Sequence, residues 1–557
     1  MLLHTHTLCH PMLLFLHARI SRLFCPFSSP PFRSLLFFHF SPLPPFPPRF
    51  PLFLPPSSLF SPFPHLSPHF SPHPAFSPCP HLPLPHAAPH LHGGEVPSHS
   101  DGHPHAWFTQ HGDTGSSFAS ATTTYPNSQP PTLLWLHDHA MGYTRLNTAA
   151  SMAGLYLIRD PAGVEQGMGG WLPRGEFDVP LVVADRQFRK DGSVVYGGGM
   201  GMGMPMESFG NVNVVNGKVW PYMTVKPRLY RVRLLGAANS RVYRLRFQCA
   251  AQTDYFQCAA QTDYFQCAAQ TDYPHLLPPL HGPTLPVLQI ASDGGYLAAP
   301  LCRSSILLAP GERVDMGLMG LCGPAVPSAL QSIPPIDLSK VSRVCYLTLS
   351  STMDDMGGGM GGGMGGKMGG MGMGMGGGGM GGGGKAGGGG GGMGGGGGMG
   401  GGGGGGMSMM RFTIDGKGFM DTPTEVAAVG ESELWHLVNP GAHMHPIHIH
   451  LVQHRPLSRR PFHAAAFLNG SCALSGGSSG KPSCYTGGEE AVGAWESGWK
   501  DTSLSLPGQV LTLFVRFAAQ DGSAFPFDAS AGPGYVWHCH MLEHEENDMM
   551  RPLLVTA

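Results

Sequence analysis

Of the places in this chain where two histidines stand one residue apart, four carry the argument. They are His90 and His92 in "PHLHGG", His137 and His139 in "LLWLHDHAMG", His448 and His450 in "HPIHIH", and His538 and His540 in "YVWHCH". Side chains alternate across a β-strand, so each pair projects both imidazoles from one face. Eight imidazoles delivered this way suit a cluster of three copper ions, two on one ion and three on each of the others. The chain holds 30 histidines, and many are compositional, as in "HPHAWF" and "SPHFSPH". One such pair would be a surface accident more often than not. Four pairs restrict the fold to one that brings strands from distant parts of the chain together.

The last pair encloses Cys539. "YVWHCH" reads as a strand: aromatic and β-branched residues follow the turn signal "AGPG". Cys539 therefore points away from the face that carries His538 and His540. "MLEHEENDMM" follows and brings His544 and Met549. A thiolate, imidazoles and a thioether form the His2Cys site with weak axial Met that suits electron-transfer copper. His445, in "HMHPIHIH", supplies the second imidazole. One cysteine cannot build a structural zinc site of the usual Cys-rich kind, and the chain has no CxxC. Because Cys539 sits between His538 and His540, two short covalent paths join the thiolate site to the cluster.

The chain resembles the multicopper oxidases, most of all the three-domain branch of spore-coat laccase and bilirubin oxidase. The matching text runs from His90 onward: "HLHGGEVPSHSDGHPHAWF", "LWLHDHAMGYTRLNTAASMAGLYLIRDP", "EFDVPLVVADRQF", "VNGKVWPYMTVKPRLYRVRLLGAANSR", "QIASDGGYL", "LAPGERVD", "HPIHIHLVQHRPLSRRPF" and "YVWHCHMLEHEENDMMRPL". The resemblance implies an all-β fold of three Greek-key cupredoxin-like sandwiches and four copper ions. It implies a type 1 copper on His445, Cys539, His544 and Met549, and a type 2 copper on His90 and His448. A type 3 pair would take His92, His137, His139, His450, His538 and His540. Two acids match the family pattern, Glu545 after His544 and Asp101 in "HSDG". Reducing O2 to water consumes protons, and carboxyls near the cluster would deliver them. The plainer reading makes Asp101 a turn residue and Glu545 a solvated one. Asp138, between two ligands, reads as a supporting residue.

Charged residues make up only 12% of the chain, with a formal net charge of −2. No basic patch argues for nucleic acid. The remaining partners are O2 and a small-molecule or metal-ion reductant, with a monomer expected. No segment suits a membrane span. Cys472 and Cys484 flank a Gly/Ser-rich loop and are candidates for a disulfide. "NGS" at Asn469 is an N-glycosylation sequon. Together they lean toward a secretory, extracellular route, although the first residues make a poor signal peptide.

Residues 1–88 are rich in Pro, Phe, Ser and His, and proline at this density defeats both helix and sheet. They are expected to be a disordered extension or translated non-coding sequence, which leaves domain 1 (89–165) without its opening strands. Domain 2 (166–350) carries strands such as "YRVRLL" and "VYRLRF" and three tandem copies of "FQCAAQTDY" from Phe247 to Tyr273. The copies are too short for a solenoid and read as an extruded local duplication. Residues 351–410 are almost wholly Gly and Met and read as a flexible linker. Their thioethers, with those of "GGGMGMGMPME" at 197–207, suit Cu(I) capture, with low-complexity expansion the simpler account. Domain 3 (411–557) holds the thiolate site and half the cluster histidines. Domain 1 holds the other half.

The expected function is laccase-type oxidation of phenols, aromatic amines, bilirubin-like compounds or metal ions, coupled to four-electron reduction of O2. The rival is a copper-binding electron-transfer protein without oxidase activity. It gains weight only if His90 and His92 are not held in a sheet.

Overall fold

The computed structural model describes residues 86–557 except 160–164, 166–170, 197–199, 202–203, 206, 224, 227–228, 249–283, 319–326, 352–410 and 475–479. It also describes the backbone of three short strands, Leu2–Thr7, His17–Ser21 and Leu35–His39. Strands dominate the regular elements of the described residues, and the few helices are short.

The C-terminal part packs two sheets face to face. One has six strands in the order Phe412–Ile414, Val341–Ser351, Ser432–Asn439, Gln509–Arg516, His454–Pro461, Glu490–Ala491. The other has five, in the order Glu425–Ala428, Met550–Thr556, Tyr535–Cys539, His445–Ile449, Thr502–Ser505. The strand period decides what lies between them. Trp435 and Leu437 point inward from "SELWHLVN" and face Leu513 and Leu511 across the register. Trp537 meets Trp435 edge-on at 4.9 Å between ring centres. Each such fully buried apolar side chain contributes about 1.5–3 kcal/mol. Tyr535, Trp537 and Cys539 belong to this core, so His538 is turned to the opposite face. Ile447 and Ile449 do the same for His448 on the neighbouring strand, where His448 and His538 are cross-strand partners.

The N-terminal sheet is Pro89–His92, Thr132–Asp138 and Ala153–Ile158, all antiparallel, with His90 opposite His137. In the chain between these two parts comes an eight-stranded sheet. Its central strands, Asp178–Phe188, Tyr230–Gly236, Arg313–Leu318 and Val287–Ser292, pack against Tyr243–Gln248 and Ile306–Leu308.

Three features differ from the sequence expectation. Val341–Ser351, assigned to domain 2, pairs in parallel with Ser432–Asn439 in the C-terminal sheet. Ser351 is also the cross-strand partner of Phe412. The Gly/Met segment therefore leaves and re-enters one sheet rather than joining two domains. Backbone pairing outranks composition as a boundary signal here. The Gly/Met residues themselves, and the Cu(I) capture expected of them, lie outside the described residues. So does most of the FQCAAQTDY repeat, whose flanks also meet, Gln248 opposite Thr284. Third, Leu2–Thr7, which has no proline, pairs antiparallel with Tyr243–Gln248. The proline-dense remainder of residues 1–85, apart from the two strands already named, lies outside the described residues.

Candidate metal centre

The first group of side chains forms around Cys539. Its Sγ lies 3.6 Å from His445 Nδ1 and 3.6 Å from His544 Nδ1, and those two nitrogens are 3.2 Å apart. His445 opens one strand of the five-stranded sheet, Cys539 closes the next, and His544 sits on the short helix Leu542–Glu545. Met549 is fully buried, and its backbone is tied to the same residues. Its N–H donates to His544 O at 3.0 Å, and its carbonyl accepts from Cys539 N at 3.0 Å. Phe412 stacks on His544 at 3.9 Å. His544 Nε2 donates to Glu207 Oε1 at 3.1 Å, which leaves Nδ1 to face Cys539. Glu207 also accepts from His443 Nδ1 at 2.9 Å. Burial works to raise the Glu207 carboxyl, but these two hydrogen bonds outweigh it and hold the group well below the usual range.

The second group lies between the N-terminal and C-terminal sheets and gathers the four His-x-His pairs at 90/92, 137/139, 448/450 and 538/540. His139, His450 and His538 form one trio, with His538 Nε2 3.2 Å from Nε2 of each of the others. His92, His137 and His540 form another, with ring centres 4.9–5.6 Å apart. His90 and His448 face each other, Nε2 to Nε2, at 3.4 Å. Outward hydrogen bonds dictate which nitrogen of each ring faces in. His90 Nδ1 donates to Asp101 O at 2.6 Å, His137 Nδ1 to Asp138 O at 2.8 Å, and His448 Nδ1 to Asp501 O at 2.9 Å. His450 Nδ1 donates to Asp101 Oδ2 at 2.7 Å. His92 is turned the other way: Nε2 donates to Asp501 Oδ1 at 3.0 Å, and Nδ1 faces in.

The twelve expected ligands are all buried, none more than 4% exposed. Burial first, and neighbouring histidines second, push His92, His137, His139, His445, His448, His450 and His540 well below the ordinary imidazole value. Neutral imidazole is the form that binds metal. Burial pushes the Cys539 thiol well up, so a cation is needed to hold it as thiolate. His92 Nδ1, His137 Nε2, His139 Nδ1 and both nitrogens of His540 are buried without a hydrogen-bond partner. An orphaned buried polar atom costs about 1–3 kcal/mol. His92 Nδ1, His137 Nε2 and the His540 nitrogens belong to one trio of rings, and that grouping of orphaned donors and acceptors fits a metal site.

Both expected acids lie at the cluster. Glu545 Oε2 is 3.0 Å from His538 Nδ1, and Oε1 is 3.7 Å from His139 Nε2. It is buried rather than solvated. Asp101 ends a 3-10 turn, yet it is also buried and holds both His90 and His450, so it is more than a turn residue. Asp138 accepts from Ala88 N, Ala140 N and Asn147 Nδ2 and holds the loop ends in place. His90 and His92 stand in a paired strand, which removes the feature that would favour the electron-transfer rival. Glu207, Phe412, Asp501 and Arg313 escaped the sequence reading. Glu207 closes a Met/Gly run, and Asp501 in "GWKDTS" carries no metal-ligand spacing. Among the described residues no helix is long and apolar enough to cross a membrane.

Comparison with known proteins agrees with this geometry. The family model described as multicopper oxidase matches residues 404–557. The laccase of Bacillus subtilis (strain 168) is 30% identical over 515 residues, covering 84% of this chain and 79% of that protein. A multicopper oxidase of Oryza sativa subsp. japonica is 32% identical, covering 83% and 74%. Among solved structures, the McoA multicopper oxidase of Aquifex aeolicus superposes with a TM-score of 0.55 at 21% identity, covering 85% of each chain. That likeness gives the fold, all-β and cupredoxin-like. The chain belongs to the multicopper oxidase family. It is a copper-dependent oxidoreductase with O2 as electron acceptor. The donor set fits copper: imidazoles for the cluster, and thiolate with two imidazoles beside a buried methionine for the other site.

Proposed function

We propose that the chain is a laccase-type oxidase with four copper ions. A type 1 ion would be held by His445, Cys539, His544 and Met549, and a type 2 ion by His90 and His448. A type 3 pair would be held by His92, His137 and His540 on one ion and by His139, His450 and His538 on the other. The observation that carries the reading is the join between the groups. Cys539 serves the first, and its two neighbours in the chain serve the second.

Bound copper supplies one-electron redox chemistry and the place where O2 is reduced to water. The protein does the rest. Cys539 joins the groups through its own backbone to His538 and His540. Glu207 and Phe412 orient His544. Glu545 can hold a proton at Oε1 or Oε2, within reach of His139 and His538, and so serves as the acid for O2 reduction. Asp101 keeps His450 turned inward. Burial of every ligand keeps bulk water out. The reductants are phenols, aromatic amines, bilirubin-like compounds or metal ions.

The test is the visible and near-ultraviolet spectrum of copper-loaded protein before and after reduction, with O2 uptake on a phenol. A blue band with a near-ultraviolet shoulder, both bleached by reductant, is expected. A blue band without the shoulder would sink the oxidase reading.

A secretory route belongs to the same proposal. Asn469 is exposed, and Cys472 and Cys484 are joined in a disulfide. Protein made in a eukaryotic secretory pathway should lose apparent mass on endoglycosidase treatment, and Asn469→Gln should abolish the change.

A further inference from the structure

Two motifs, "QIASDGGYL" and "LAPGERVD", supply no histidine, yet both reach the cluster. Arg313 is 1% exposed on its strand in the eight-stranded sheet. A guanidinium has five N–H donors, and here each has an acceptor. Nε donates to Leu133 O at 2.9 Å, on the strand that carries His137. Nη1 donates to Gly311 O at 2.9 Å and to Asp501 Oδ1 at 2.7 Å. Nη2 donates to Asp293 O at 3.3 Å and to Asp501 Oδ2. One side chain thus ties all three parts of the molecule together.

Asp501 passes this on. Its Oδ1 accepts from His92 Nε2 at 3.0 Å and its carbonyl from His448 Nδ1 at 2.9 Å. A His92 proton kept on Nε2 leaves Nδ1 as the inward lone pair, opposite to the pattern of His90, His137 and His448. Gly311 makes the fit tighter. At φ +83° it lies so close that a Cβ there would come within 3.0 Å of both His92 and His540.

We propose that Arg313 is a positioning residue for the histidine cluster. By clamping Asp501 in a two-pronged ion pair, it sets the tautomer and ring orientation of His92 and His448, so the central sheet governs a metal site to which it gives no ligand. This rests on the cluster reading above. Partners behind a ligand typically matter by about 10- to 100-fold in metal affinity. Lysine cannot replace the fork, because an ammonium is a point charge without paired parallel donors.

The experiment compares copper-loaded wild type with Arg313→Lys, the isosteric Asp501→Asn, and a control, Arg231→Lys. Arg231 is an equally buried arginine of the same sheet, bonded to Asp315 and Tyr296 rather than to the cluster. The readouts are the ratio of near-ultraviolet shoulder to blue band, copper per chain after dialysis against a chelator, and Tm. Arg313→Lys and Asp501→Asn should keep the blue band, which reports the separate Cys539 site. Their ratio should fall at least about twofold, and cluster copper should be lost at chelator levels about 10-fold lower than for wild type. Arg231→Lys should lower Tm and leave the ratio unchanged. An unchanged ratio in both cluster variants overturns the inference. So does loss of blue band and shoulder together in both, or an equal fall in the control. A wild-type protein with a blue band and no shoulder overturns the cluster reading and this inference with it, an outcome distinct from the others.

Discussion

At the scale of single residues, Glu545 and Glu95 show how burial assigns different work to the same side chain. Glu545 stands between His538 and His139, close enough to pass a proton inward. Glu545→Gln keeps shape and hydrogen bonding but removes the proton carrier. Its blue band should persist, while reoxidation of the reduced protein by O2 slows by roughly 10²–10⁴-fold. Stopped-flow absorbance would show it, and a rate within twofold of wild type would remove Glu545 from the proton path. Glu95 touches no ligand. It accepts the Gln520 N–H at 2.8 Å, but its other oxygen is orphaned, and burial pushes its carboxyl up to about 7 from 4.5. A raised folded-state value means stability is full below pH 4.5 and is lost as pH rises through 7. The loss is at most about 3 kcal/mol. Denaturant titrations at pH 4.5 and 8 should differ less in Glu95→Gln than in wild type. An identical pH dependence would refute the assignment.

At the scale of elements, the strands and their connections carry separable duties. Tyr535–Cys539 sends Trp537 and Cys539 into the sandwich core and His538 to the cluster, so a one-residue slip would exchange the two sites. Connections are freer. Ser351 and Phe412 are already cross-strand partners, so the Gly/Met segment between them closes a loop whose entropy grows only slowly with length. Replacing residues 353–410 with a short Gly/Ser turn should raise stability by about 1–2 kcal/mol and keep the blue band. Loss of that band would show that the segment serves the metal site. The Cys472–Cys484 disulfide packs with Phe462, Leu474, Val438 and Val510 in a core of its own. Cys472→Ala with Cys484→Ala should cost about 3 kcal/mol in denaturant unfolding and leave the spectrum intact. A changed blue band would contradict that separation.

At the scale of the whole molecule, bound copper should help to hold the parts together. The cluster draws histidines from the N-terminal and C-terminal sheets, and His92 Nδ1, His137 Nε2 and both His540 nitrogens have no hydrogen-bond partner there. Copper binds the assembled chain and not the unfolded one, so it should stabilise by about 2.7 kcal/mol for each ion present at 100 times its Kd. Calorimetry of copper-loaded and chelated protein should show a clearly lower Tm without metal. Equal Tm values would mean that the sheets are held together without the cluster.

Spacing singled out the paired histidines and Cys539, and the structure brings these side chains together. A two-residue period on a strand puts paired histidines on one face and a central cysteine on the other whatever surrounds them, and His90 through His540 follow that rule. The supporting residues obey no such local rule. Glu207 meets His544 across 337 positions and Arg313 meets Asp501 across 188, so no window of sequence contains either pair. The place of Val341–Ser351 was hidden for the same reason, since its partner strand lies beyond the Gly/Met segment. Which nitrogen of each ring faces the metal was decided by hydrogen bonds between parts of the chain that meet only on folding. Local chemistry marked the candidate ligands, and long-range packing aimed their side chains.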